Sequence, residues 1–132
     1  METASPLTLH LMGALGLYLV AVGAGILLAP ERWRAMGAEM ERSPALTVTM
    51  GVATYAIGVA LLGVHHGLAD PLQIIVTAVG AIAALEGLLI LAVPKVMMAF
   101  GTPFFARPRA WAIVTFVLGL ALLAIGLLGH AR

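Results

Sequence analysis

Cysteine is absent from this chain. That removes disulfides, thiolate metal sites, iron–sulfur clusters, covalent c-type haem and palmitoylation together. Charge is scarce: Asp, Glu, Lys and Arg make up 10% of 132 residues, against about 25% in a soluble domain. The sequence has no Ser/His/Asp set at a plausible shared depth, no glycine-rich phosphate loop after a strand and no paired carboxylates. We therefore expect no enzymatic activity and no cofactor. The basic residues are few and scattered between apolar runs, so nucleic acid is not an expected partner.

What the chain has instead is hydrophobicity, at 62% of residues. Four apolar stretches run from Leu7 to Ala29, Ala45 to Val64, Pro71 to Val93 and Ala110 to Gly129. Crossing a hydrocarbon layer of ~30 Å takes about 20 helical residues, and each stretch has that length. None carries a polar face, and Glu86 is the only acidic or basic residue inside any of them. The expected fold is all-α: an antiparallel four-transmembrane-helix bundle forming one membrane domain over residues 1–132. The first stretch is preceded by no basic residue and is longer than a secretory signal core, so it is expected to be retained.

Basic residues fall on one side of these spans. The first and third connectors hold Arg32, Arg34, Arg42, Lys95, Arg107 and Arg109, and Arg132 alone lies on the opposite side. Positively charged short loops stay in the cytoplasm, so both termini are expected on the non-cytoplasmic side, in a bacterial inner membrane.

The two halves of the chain echo each other. A shift of 64 residues aligns Gly16 with Gly80, Gly23 with Gly87, Pro30 with Pro94, Gly37 with Gly101 and Pro44 with Pro108. Beyond that the shift becomes 61, placing the run from Gly58 on the run from Gly119. This predicts a tandem repeat of a two-span hairpin, about 7–64 and 71–129. Each unit has an even number of spans, so the repeats are related by an axis along the membrane normal. Small-xxx-small pairs such as Ala21/Gly25, Ala56/Ala60, Gly80/Ala84 and Ala83/Gly87 permit close helix approach.

Between spans 1 and 2, Trp33, Met36 and Met40 recur at helical spacing among charges, which predicts a short interfacial helix with Pro30 in its first turn. Its counterpart, Lys95 to Phe105, completes the pair of short interfacial helices expected on the cytoplasmic side; it is nearly uncharged and rich in Met and Phe, a candidate docking surface for lipid or protein. Trp33 and Trp111 are expected as anchors at that interface.

Glu86 is the candidate intramembrane functional residue. It precedes Pro94 by eight positions, about 12 Å inside the span at 1.5 Å per residue, where an unpaired carboxylate is costly. Candidate partners are Thr49, Thr115, Arg34 and Arg109. His10, His65, His66 and His130 all belong to the opposite face and are candidate metal or haem ligands. However, the adjacent His65 and His66 diverge by about 100° on a helix, and His near a helix C-terminus is favoured by the dipole alone.

The string Val22-Gly23, Pro30-Glu31-Arg32-Trp33-Arg34-Ala35-Met36, Pro44 and a glycine-rich second span resembles the small YjeT-type inner-membrane proteins. These are two-span hairpins of unassigned function. The second half matches with Glu86-Gly87 and Pro94 but lacks the Glu and Trp of the connector. The resemblance implies a fused, diverged pair of hairpins and brings no activity with it. The residues themselves favour a non-enzymatic accessory or assembly subunit that meets lipid and either a membrane-protein partner or a second copy. The alternatives are a small ion-coupled carrier using Glu86 and, further off, a haem or metal protein using the histidines.

Overall fold

The computed structural model describes residues 6–129 as six helices: α1 (Pro6–Leu28), α2 (Pro30–Arg42), α3 (Pro44–Val64), α4 (Pro71–Ala92), α5 (Pro94–Ala106) and α6 (Pro108–Leu128). Among the described residues there is no strand. The long helices α1, α3, α4 and α6 are each apolar and long enough to cross a membrane. The chain is accordingly an all-helical integral membrane protein.

Proline sets the punctuation. Six of the seven prolines open a helix, where the missing N–H is harmless and φ is already helical. A proline also drives the residue before it out of the α region. Ala29, Ser43, Val93 and Arg107 are each a single non-helical residue between two helices, with φ of −146°, −119°, −135° and −127°. One such residue is enough to turn α2 off α1 and α5 off α4. The short helices expected between the spans on one side of the bundle are α2 and α5, 13 residues each.

The close-packed pairs are α1 with α6 and α3 with α4, both antiparallel, while α1 meets α4 along a narrower line. Each span therefore packs most closely on a helix from the other half of the chain. Glycine makes the seams. A Cβ at Gly16 would lie 2.7 Å from the Gly119 carbonyl oxygen, and one at Gly119 would lie 2.8 Å from that of Gly16. Across the second seam, a Cβ at Gly58 would stand 2.8 Å from the Gly80 oxygen, and one at Gly87 would stand 2.6 Å from Tyr55 Cα. No side chain fits there, so backbones touch directly, and dispersion between helices replaces a hydrophobic drive that lipid does not provide.

Polarity runs inside out. Leu17, Ile57, Ile82, Val117 and Leu127 are exposed, whereas Thr8, Thr47, His65, Asp70 and Thr77 are buried. The apolar core is small, with Met12, Val76 and Leu122 at its centre and Leu11, Leu19, Leu61 and Leu72 packed around it. Such a surface fits hydrocarbon rather than water.

Candidate functional site

Glu86 lies on the outer face of α4, beside exposed Leu85 and one turn from exposed Ile82. The inner face of the same helix carries Val76, Thr77, Gly80 and Gly87, all buried. Glu86 has no hydrogen bond or ion pair with any described residue. The candidate partners are not brought to it. The Thr49 hydroxyl donates to the Ala45 carbonyl at 2.7 Å, within its own helix. Thr115 is half-buried, and Arg34 and Arg109 are exposed, none of them bonded to Glu86. A carboxylate inside a span thus faces away from its own bundle.

The histidines separate. His10 is exposed on α1, and His130 lies outside the described residues. His66 is exposed, and its Nδ1 is 3.0 Å from the Leu62 carbonyl. His65 is buried, and both ring nitrogens are engaged: Nε2 is 2.8 Å from Thr8 Oγ1, and Nδ1 is 3.1 Å from Thr77 Oγ1. The Thr77 hydroxyl donates its proton to the Gly67 carbonyl at 2.7 Å. Its oxygen can then only accept from the ring, so Nδ1 carries the hydrogen. Metal ligation by His65 would break one of these bonds, and no group of three metal-binding side chains occurs among the described residues.

Threonine 8 on α1, His65 at the end of α3 and Thr77 on α4 therefore form a node joining three spans. Sequence reasoning missed it because neither threonine belongs to a recognisable motif. Close by in the chain, buried Asp70 caps α4, its Oδ1 accepting from the Leu72 and Gln73 amides at 3.0 Å each. Gln73 Oε1 in turn accepts from the Ala69 amide at 3.1 Å. Asp70 as cap and Pro71 at the first helical position both follow from sequence.

At the other end, α2 and α5 cross. Trp33 packs on Phe105 with ring centroids 5.6 Å apart, and Trp111 stacks on Phe104 at 4.2 Å. Phe105 fills the space over Gly37, where a Cβ would lie 2.7 Å from its ring. The Met- and Phe-rich α5 has no buried residue. Thr47 ties α3 to α2 by donating to the Met40 carbonyl at 2.8 Å. Every described charged residue except Glu86 and Asp70 belongs to α2, α5, the start of α6 or, for Arg107, the hinge between α5 and α6.

No family model, curated protein or solved structure matches this chain.

Proposed function

We propose that this chain is a non-enzymatic accessory or assembly subunit of a larger membrane complex, held to its partner through the outer face of α4. The observation that carries the reading is Glu86, set within a span, turned outward and without a partner among the described residues. Insertion scales put an acidic residue at the centre of a span at roughly 2.5–3.5 kcal/mol. A neighbouring helix offering a donor removes much of that cost. The carrier reading ranks second: Glu86 is exposed and lines neither the α1/α2 groove nor the groove between α3 and α5, so a second copy would have to enclose it.

The proposal includes the chain's origin as a tandem pair of YjeT-like hairpins. It is supported by contacts that interchange under the two shifts. The Gly16–Gly119 approach maps onto Gly80–Gly58, and Gly23–Phe116 maps onto Gly87–Tyr55. Met12 maps onto Val76, both fully buried. The six basic residues at the α2/α5 end favour placing that end in the cytoplasm of a bacterial cell, with the termini across the inner membrane.

Extraction of the tagged chain in mild detergent from its native membrane tests the reading. A distinct protein should co-purify stoichiometrically, and Glu86→Gln should reduce its recovery several-fold while leaving the chain's abundance unchanged. Recovery of the chain alone, or an intact assembly whose ion flux disappears in Glu86→Gln, contradicts the subunit role.

A further inference from the structure

A second site lies at the elbow between α1 and α2. The two helices enclose a groove of about 500 Å³, apolar along α1 and polar along α2. Three observations converge on it.

The first is Gly25. Gly16 and Gly23 of α1 are filled by a neighbour: a Cβ at Gly23 would lie 2.9 Å from Phe116 Cβ, and one at Gly16 would meet α6. A Cβ at Gly25 meets nothing within 4 Å. Packing does not account for this glycine, and its bareness keeps the groove open. The second is Trp33, which lines the groove and whose Nε1 is buried with no hydrogen-bond partner. A buried N–H left without an acceptor costs about 1–3 kcal/mol. The third is a pair of opposite charges, Arg32 and Glu39, both lining the groove. They sit seven residues, about two turns, apart on one face of α2, and neither forms an ion pair with a described residue.

We propose that this elbow binds the headgroup of an amine-bearing zwitterionic phospholipid. The Arg32 guanidinium and the Trp33 indole N–H hold the phosphate, and the Glu39 carboxylate accepts hydrogen bonds from the ammonium. An acyl chain runs over Val22 and the open face of Gly25. Arg and a neutral N–H suit phosphate oxygens, and Glu39 sets the class. It repels a purely anionic head and finds no N–H donor on a trimethylated one. Under the 64-residue shift, Gly25, Arg32, Trp33 and Glu39 become Leu89, Val96, Met97 and Pro103, so the α4/α5 elbow has none of this chemistry. The site is independent of the subunit reading, which rests on Glu86.

The test is native mass spectrometry of the full chain, delipidated in mild detergent and titrated separately with phosphatidylethanolamine, phosphatidylcholine and phosphatidylglycerol of matched acyl chains. Phosphatidylethanolamine should bind roughly tenfold more tightly than either competitor, the scale of one charge-assisted hydrogen bond. Gly25→Leu and Arg32→Gln should each remove most of that binding, and Glu39→Gln should erase the preference over phosphatidylcholine. Gly63→Leu is the control, since Gly63 is equally open but lies outside the groove. The wild-type titration is decisive by itself: equal binding of the three lipids, or preference for phosphatidylglycerol, overturns the proposal. So does a folded Gly25→Leu protein that binds phosphatidylethanolamine as wild type does.

Discussion

The two ends of the bundle treat polar groups in opposite ways. At the loop end, Thr8, His65, Asp70 and Thr77 are buried, and side chains from two other helices, Thr8 of α1 and Thr77 of α4, meet on the one imidazole that closes α3. That end closes on itself, save for Asp70 Oδ2, which is buried without a partner. At the α2/α5 end the charged side chains are exposed, no ion pair forms among the described residues, and an indole N–H is buried unmet. The apolar α5 lies at that end with no residue buried, although Phe104 and Phe105 pack on Trp111 and Trp33. The difference teaches where polar groups tie helices together. One end joins three spans through buried side chains, and the other leaves its charged groups exposed.

Substitution can break this contrast at either end. The largest effect is expected from His65→Ala, which removes both ring contacts from the node and leaves a void among α1, α3 and α4. Two buried hydrogen bonds put the loss at about 1–3 kcal/mol, read as earlier unfolding when SDS is added to the purified protein in detergent. If His65→Ala unfolds as wild type does, the node is not structural and the contrast fails. The smallest effect is expected from Arg34→Gln at the opposite end. Arg34 is exposed and unpaired among the described residues, so the same unfolding curve should move by no more than about 0.5 kcal/mol. A large shift there would mean that α2 is held to the bundle by charge as well as by Phe105 and the Thr47–Met40 bond.

Much of this was legible in the residues. The four spans emerge within two residues of their expected ends, because apolar length and proline position both mark them. The outward direction of Glu86 was legible too: it lies roughly 110° from the centre of the small-residue face formed by Gly80, Ala83, Ala84 and Gly87, at 100° per residue. That angle was readable, yet partners inside the bundle were sought for it, because a carboxylate is costly in lipid. Pairing of α1 with α6 and of α3 with α4 was not legible. Glycines on all four spans permit several pairings, and the choice rests on which backbones nest. The imidazole node was hidden for a similar reason, since Thr8, His65 and Thr77 are far apart in sequence and meet only when three helices converge.

The central claim is that something other than lipid covers the outer face of α4. A photo-activatable side chain placed at Ile82, exposed and one turn from Glu86, tests it directly in native membranes. The account predicts one discrete cross-linked band containing a different membrane protein, weakened when Glu86→Gln is added. Irradiation that yields only the uncoupled chain, or a band identical with and without Glu86→Gln, would contradict it.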